Sequence, residues 1–254
     1  MDDLLKALDV TVGATSCLLG GGAAVEPTAF RRDAMRHLQA CGGERAALKV
    51  VQGFKTAVGS DDNKLRAVLA PLSTTQQQAQ AHCNSNMGET LTKLLLRVDL
   101  LQPELIAFLL EKLCEYGIND SASDSSDSFP RLLLNQLRWL NHVVKPAELA
   151  SRLMEIIPIS PLGLQKEIIL AIPEIVGDAE HKIVVCSFVE TLSTTVELFV
   201  PIMDTLSNLN LDEKLLMQVR EVVLDRLPSV DLADLPVVIR FLLQSATTAT
   251  VSQV

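Results

Sequence analysis

The sequence predicts an all-α protein, and more narrowly an α-solenoid built from stacked helical hairpins. Three observations favour this class. Apolar residues recur at steps of three and four along most of the chain after residue 88, which is the period of an amphipathic helix. Aromatic residues make up only 4% of the 254 residues, fewer than a β-sandwich or barrel normally carries. Prolines lie at the joints between segments of roughly 10 to 17 residues, a length typical of helices in stacked pairs.

The clearest helical pair lies between Leu211 and Ser245. Six apolar side chains of its first helix share one face: Leu215, Leu216, Val219, Val222, Val223 and Leu227. Five charged side chains are predicted on the other face: Asp212, Lys214, Arg220, Glu221 and Asp225. Pro228 ends this helix, Asp231 is expected to cap the next, and the second helix is predicted over Leu235–Gln244. Because neither helix can bury its apolar stripe alone, we expect irregular HEAT-like hairpins that stack on one another.

The first third of the chain, residues 1–87, is predicted as a weakly defined helical segment. Its predicted helices cover residues 3–10, 27–40, 44–58 and 61–69. Glycines or a proline follow the last three, as expected at helix ends. The connection through Gly20–Gly22 is predicted to be weakly ordered, and the polar segment Ser73–Asn86 is compatible with either a frayed helix or a loop.

Residues 88–245 form the predicted solenoid of hairpins, and residues 246–254 are predicted as a tail. The first pair comprises a helix over 91–101 and a second helix over 104–116. Gly117 then occupies the position past a helix end where a left-handed residue is common.

A Ser- and Asp-rich stretch at residues 118–129 has no apolar periodicity and is predicted as a solvated loop. A helix opened by Pro130 is then predicted to run to Val144, with one face buried. The buried residues of that face are expected to be Leu133, Leu137 and Leu140. Trp139, near the edge of this face, is expected to be at least partly shielded by the helix that follows. The remaining helices are predicted over residues 147–157, 164–172, 177–193 and 194–209, with prolines at three of the joints.

The charge balance is acidic, since 31 Asp and Glu residues against 22 Lys and Arg give a formal net charge of -9. A domain dedicated to nucleic acid normally carries a basic excess or stripe, because neutralising phosphates supplies most of the affinity. The basic residues of the second half are scattered among acids: Lys145, Arg152, Lys166, Lys182, Arg220, Arg226 and Arg240. We therefore expect this chain alone to bind double-stranded DNA weakly and without sequence preference.

No run of about 18 apolar residues is present, so the sequence predicts no membrane span. The N-terminal apolar patch lacks the basic residues that precede it in a secretory signal. The five cysteines, at positions 17, 41, 83, 114 and 186, are odd in number and widely scattered. This pattern favours reduced, mostly buried thiols in an intracellular protein.

No catalytic constellation is recognisable in the sequence. The motifs GxxxxGK(S/T), GxSxG and HExxH do not occur. His181 and Cys186 lie five positions apart, so they do not share a helix face as paired metal ligands would. Cys83 follows His82 directly, but no neighbour is evident that would orient the imidazole as a base. We predict no enzymatic activity, no metal site and no cofactor.

Five serines of the acidic loop are candidate phosphorylation sites: Ser121, Ser123, Ser125, Ser126 and Ser128. The aspartates among them suit an acid-directed kinase, and a phosphate on a solvated loop would be well hydrated. The simpler alternative, an exposed linker without a regulatory role, stays open.

Four helical segments, in this order and spacing, carry a resemblance to a known family. They are KLLLRVDLLQPELIAFLLEKLCEY (93–116), PRLLLNQLRWLNHVV (130–144), IPEIVGD (172–178) and LDEKLLMQVREVVLDRLPSVDLADLPVVIRFLLQS (211–245). The chain resembles the N-terminal part of the Fanconi anaemia group D2 protein family, well over residues 88–245 and loosely over 27–70. The resemblance implies a nuclear α-solenoid protein of DNA interstrand crosslink repair. It further implies pairing with the Fanconi anaemia group I protein, clamping on double-stranded DNA, and locking by monoubiquitination of one lysine.

The chain also departs from the family pattern. Members usually begin with a Lys/Arg-rich nuclear signal, whereas this chain starts MDDLLKALD. The acceptor lysine of the family lies beyond the last matching segment, so no ubiquitin acceptor is expected in this chain. A ubiquitin-binding element proposed for the family corresponds to Pro161–Thr191, where no sharp signature is present, so ubiquitin is an open partner. We therefore expect a fragment, a short isoform or a partial gene model.

Two classes of function follow from the sequence. The first is a structural arm of a DNA-repair clamp that binds a homologous protein partner. The second is a generic helical-repeat adaptor that binds a peptide or protein in its concave face. The sequence does not identify the helices that would face a partner.

Overall fold

Helices dominate a computed structural model of the chain, which describes residues 10–12, 17–19, 26–59, 61–74, 89–119 and 128–245. The chain divides into two compact units, Met1–Lys145 and Pro146–Val254. In the described part of the first unit the helices are α1 Pro27–Ala40, α2 Glu44–Val58, α3 Asp62–Leu69, α4 Leu91–Leu96, α5 Gln102–Asn119 and α6 Phe129–Leu137. In that of the second unit they are α7 Pro146–Ile156, α8 Leu162–Ile175, α9 His181–Thr194, α10 Phe199–Leu206, α11 Glu213–Arg226 and α12 Leu235–Gln244. The predicted all-α class is confirmed.

A small three-stranded sheet accompanies the helices of the first unit. Its strands are β1 Val10–Val12, β2 Cys17–Leu19 and β3 Ser73–Thr74, with β1 antiparallel and β3 parallel to the central β2. The sequence predicted a helix ending at Val10, and this is wrong for Val10 because Val-Thr-Val is a run of β-branched residues that favours a strand. The rest of that predicted helix, the Gly20–Gly22 connection and most of the polar segment after Thr74 lie outside the described residues.

One core joins the helices on both sides of residue 88 in the first unit. Helix α1 packs against α4, α2 against α5, and α3 against both α4 and α6. Phe54 of α2 and Phe108 of α5 meet edge to face, with ring centroids 6.0 Å apart at 85°. Helices on both sides of residue 88 therefore belong to one compact unit, and the second unit begins at Pro146.

The second unit is built in two layers. Helices α7, α9 and α11 pack side by side, and so do α8, α10 and α12. Each helix therefore contacts its second neighbour along the chain, which is how stacked hairpins bury a continuous core. The most deeply buried residues of the layers include Leu153, Ile168, Ile172, Val184, Val185, Ile202, Met203, Val219 and Val223. This packing is that of the predicted α-solenoid.

Two boundaries in the first unit differ from the sequence prediction. The helix predicted over 91–101 ends at Leu96. The backbone tightens there, because hydrogen bonds between residues three apart replace the α-helical ones: Arg97 N to Leu94 O at 3.2 Å and Val98 N to Leu95 O at 3.0 Å. Helix α5 does not end before Gly117 but continues to Asn119, and Gly117 is buried. Packing of this long helix thus outweighs the local stop signal.

Helix α8 runs through Pro173, where the sequence predicted a break. Pro173 has no N–H, so the carbonyl of Ile169, one turn earlier, loses its helical donor. The hydroxyl of Thr205 on α10 donates to that carbonyl at 2.9 Å, and Thr205 is only 1% exposed. A hydrogen bond from the neighbouring helix therefore satisfies the group that the proline leaves without a partner.

The last hairpin has the predicted helix limits but differs in two polar positions. Asp234, not Asp231, is the N-cap residue of α12, and its side chain makes no capping bond. Arg220, expected on the polar face, is only 4% exposed, and its Nη1 donates to the carbonyl of Ser245 at 3.4 Å. Arg220 is therefore buried with its guanidinium on a backbone carbonyl at the end of α12.

Candidate protein-interaction site

The segment after α6 carries an unusual exposed tryptophan. The helix predicted to run to Val144 ends at Leu137, and Arg138 is already extended with a ψ of 139°. Trp139 has a φ of +60°, and it is the single non-glycine residue with positive φ in the part of the chain that the structure describes. Its side chain is 69% exposed, so the expectation that it is shielded is wrong. A bulky residue in the left-handed region costs of order 1–3 kcal/mol and persists only where surrounding contacts enforce it.

A buried glutamine supplies such contacts from α4 and α5. Gln102, the first residue of α5, is 1% exposed. Its Nε2 donates to the carbonyl of Leu96 at 2.8 Å and to that of His142 at 2.7 Å. Its Oε1 accepts the backbone N–H of Val144 at 2.6 Å. One side chain therefore holds the backbone three to five residues after Trp139 against the α4–α5 connection.

A second buried glutamine holds the other side of the tryptophan. Gln136, in the last turn of α6, is 2% exposed. Its Oε1 accepts from the Thr90 hydroxyl at 2.5 Å, and its Nε2 donates to the carbonyls of Leu132 at 2.9 Å and Leu69 at 3.3 Å. Thr90 is also the N-cap of α4, where it accepts the N–H of Lys93 at 3.0 Å. The backbone on both sides of Trp139 is thus anchored by buried hydrogen bonds.

Positive charge surrounds the start of this segment. Burial lowers the pKa of the Lys93 ammonium, and the nearby cations of Arg97 and Arg138 lower it further, while Glu89 opposes them. Arg97 also pairs with Glu89, Nη2 to Oε1, at 2.7 Å. Arg97 and Arg138 therefore lie close enough to Lys93 for their charges to act on its ammonium.

The candidate phosphorylation sites are mostly untested by the structure. Ser121, Ser123, Ser125 and Ser126 lie outside the described residues. Ser128 is the N-cap residue of α6 and is only 8% exposed, so it is not part of a solvated loop. Its burial follows from the packing of α6, which begins at the next residue. A kinase would have to open this helix start to reach it, whereas the other four serines remain predictions.

The segment corresponding to the proposed ubiquitin-binding element, Pro161–Thr191, folds as α8 and most of α9. Three of its large apolar side chains are exposed: Leu162 at 41%, Leu170 at 50% and Ile183 at 36%. His181 of this segment is buried, and its Nδ1 lies 3.0 Å from the backbone nitrogen of Asn210. His181 therefore has a structural partner of its own, and Cys186, five residues later, is exposed.

The prediction that the cysteines are mostly buried is wrong. Cys41 and Cys186 are exposed and Cys114 is partly buried, because Cys41 follows the end of α1 and Cys186 lies on the outer side of α9. His82 and Cys83 lie outside the described residues.

Within the described ranges, no group of three His, Cys, Asp or Glu side chains could hold a metal ion. In the same ranges no helix is both long and apolar enough to cross a bilayer.

Several basic residues that the sequence scatters along the second half are already engaged in the fold. Arg152 pairs with Glu148 at 2.8 Å, and Arg240 of α12 pairs with Asp204 of α10 at 2.8 Å. Arg220 is buried, and Arg226 donates to the carbonyl of Ser193. Lys145 and Lys182 are exposed, while Lys166 is partly buried. The four arginines of this set are therefore held by partners within the second unit.

The fold defines an all-α helical solenoid, and the segment after α6 gives it an exposed tryptophan on a backbone held by buried hydrogen bonds. The sequence matches the family model described as Fanconi anaemia protein FancD2 nuclease over residues 20–254, and the chain belongs to that family.

Curated relatives agree with this membership. The Fanconi anemia group D2 protein homolog of Rattus norvegicus is 37% identical over 205 residues, which are 80% of this chain and 14% of the relative. The homolog of Mus musculus is 34% identical over 252 residues, 97% of this chain and 17% of the relative. The group D2 protein of Gallus gallus is 34% identical over 199 residues, 78% of this chain and 14% of the relative. The chain therefore spans about one-sixth of the length of these relatives.

Proposed function

We propose that this chain is a non-enzymatic scaffold, the N-terminal arm of a DNA interstrand crosslink repair clamp in the nucleus. In this proposal it pairs with the Fanconi anaemia group I protein on double-stranded DNA and is regulated by monoubiquitination outside this chain. Membership of the FancD2 family supports the proposal. The observation that carries it is the exposed Trp139 on a backbone held by buried hydrogen bonds.

A tryptophan in this state is suited to protein binding for two physical reasons. Tryptophan is enriched among the few interface residues that supply most of the binding energy, because its large surface fills a partner pocket. A fixed backbone also lowers the ordering cost that association would otherwise carry. Trp139 leaves 69% of its surface available in the unbound chain. We therefore propose that Trp139 enters an apolar pocket of the partner.

The experiment is a titration of the 254-residue chain with the Fanconi anaemia group I protein. Trp139→Ala is expected to weaken binding at least about tenfold, which corresponds to about 1.4 kcal/mol. Leu232→Ala is the matched control, because Leu232 is 86% exposed and lies in the second unit. Equal affinity of the wild type and Trp139→Ala would overturn the role of Trp139. Failure of the wild type to bind would overturn the pairing itself.

A generic adaptor is the second candidate, and the family description makes a nuclease the third. The adaptor predicts that Trp139 binds a short peptide as tightly as it binds the group I protein. A nuclease predicts cleavage of single-stranded or branched DNA in the presence of Mg²⁺ or Mn²⁺. Cleavage that co-purifies with the chain and is lost in a point variant would replace the scaffold proposal.

A further inference from the structure

We propose that Gln102 is a positioning residue for the Trp139 contact: its buried amide holds the tryptophan in its exposed, left-handed conformation. Gln102 lies 37 positions before Trp139 in the chain and does not need to touch a partner, since it is 1% exposed. The inference concerns the same surface as the proposed function, and its binding test rests on that proposal.

The amide of Gln102 joins two separate parts of the backbone. Gln102 donates to the carbonyl of His142 at 2.7 Å and accepts from the N–H of Val144 at 2.6 Å. These two bonds join one side chain to backbone groups 40 and 42 positions away, as a neighbouring strand would. The remaining bond, to Leu96 O at 2.8 Å, ties the same amide to the end of α4. These bonds therefore fix the segment after Trp139 against the end of α4 and the start of α5.

The side chain of Gln102 ends in an amide. An amide donates through nitrogen and accepts through oxygen at once, whereas a carboxylate only accepts and a thioether does neither well. Glutamate at this position would lose both donor bonds and direct negative charge at two carbonyl oxygens in a buried site. Methionine has a similar length and no charge, so it removes the bonds without placing a charge there.

The backbone of Trp139 is strained. A tryptophan with a φ of +60° persists only if its surroundings hold it there, because a side chain with a Cβ atom is unfavourable in the left-handed region. Gln136 anchors the chain before the tryptophan through Thr90 and Leu69, and Gln102 anchors it after. Loss of the Gln102 bonds frees the segment 140–144 and lets Trp139 relax toward an ordinary φ.

The spectroscopic test uses Trp139 itself, the single tryptophan of the 254-residue chain. Gln102→Glu and Gln102→Met are expected to lower its fluorescence anisotropy toward that of a mobile side chain. Thr205→Val is the matched control: Thr205 is 1% exposed and donates to Ile169 O at 2.9 Å, and both residues belong to the second unit. It is expected to lower the melting temperature while leaving the anisotropy unchanged. Unchanged anisotropy in a folded Gln102→Met variant would overturn the inference.

The binding test is a double-mutant cycle with the Fanconi anaemia group I protein. Gln102→Met is expected to weaken binding about tenfold in the wild-type background and to have no further effect beside Trp139→Ala, because the glutamine acts through the tryptophan. Independent effects of the two changes would overturn the positioning role. If the wild type does not bind at all, the proposed function fails, and the anisotropy measurement still decides the role of Gln102.

Discussion

The observed backbone of Trp139 differs from the expected helical one in its φ angle, which is positive. The apolar period of residues 133, 137 and 140 predicts a continuing helix that would shield the tryptophan at its edge. In the structure the helix ends at Leu137, Leu140 is only partly buried, and Trp139 turns into solvent with a φ of +60°. Truncating a side chain that is 69% exposed is therefore expected to change the free energy of unfolding by less than about 1 kcal/mol.

A variant with glycine at position 139 is expected to be more stable than one with alanine, which is the reverse of their order inside a helix. Trp139→Gly is expected to be more stable than Trp139→Ala by about 1 kcal/mol, because glycine adopts positive φ without the penalty of a Cβ atom. The same pair at Leu170, half-exposed inside α8, is expected to reverse the order by about 1 kcal/mol. Urea unfolding of the four variants measures both differences. A more stable alanine at position 139 would show that the left-handed backbone is not kept in solution.

Helices α8 and α10 depend on a hydrogen bond that replaces one lost to proline. Pro173 removes the donor for the carbonyl of Ile169, and Thr205 of the neighbouring helix supplies another at 2.9 Å. The contact explains why the predicted break at Pro173 does not occur: α8 continues to Ile175, which packs at 7% exposure. It also joins two helices of the same layer through a polar bond inside an apolar core.

Thr205→Val is expected to lower the free energy of unfolding by about 1–3 kcal/mol, because it leaves the Ile169 carbonyl buried without a donor. In a Pro173→Ala background the same change should cost less, since the introduced alanine restores the helical N–H. Thr191→Val serves as the control: the hydroxyl of Thr191 donates to the carbonyl of Ser187 within its own helix, and Thr191 is partly exposed. Denaturation midpoints measure the cost of Thr205→Val in the wild-type and Pro173→Ala backgrounds. If the two costs are equal, the Thr205 hydroxyl does not replace the N–H that Pro173 lacks.

At the scale of the whole molecule, charge limits what the chain can bind by itself. The net charge is -9. Arginines that the sequence leaves free for phosphates are paired with carboxylates, as Arg152 and Arg240 are, or buried, as Arg220 is. An arginine held by a carboxylate releases few counterions when DNA approaches, so it contributes little affinity.

Duplex DNA is therefore expected to bind the isolated chain with a dissociation constant of about 10–100 µM or weaker at about 150 mM salt. The salt dependence should be shallow, because few phosphates are neutralised. Fluorescence titration with a labelled duplex at two salt concentrations measures both quantities. Sub-micromolar binding with a steep salt slope would contradict the expectation and make Lys145, Lys166 and Lys182 the first residues to replace.

The sequence alone determined the helical class, the solenoid packing and many helix limits. Pro27, Glu44 and the span Leu235–Gln244 coincide with predicted ends, because capping residues, prolines and apolar periods act within a few residues of one another. Local stop signals such as Gly117 and Pro173 did not end their helices, because packing stabilised the helical backbone beyond them.

The candidate site was decided by the tertiary structure. Its tryptophan was visible in the sequence, but the exposure of Trp139 and the role of Gln102 were not. Gln102 reaches backbone groups 40 and 42 positions away, and Thr205 reaches one 36 positions away. No local pattern marks such pairs, because a buried amide or hydroxyl is chosen for a backbone group that only the packed helices bring to it. Local periodicity thus specifies which residues form helices, and the need to satisfy buried backbone groups specifies how the tryptophan is presented.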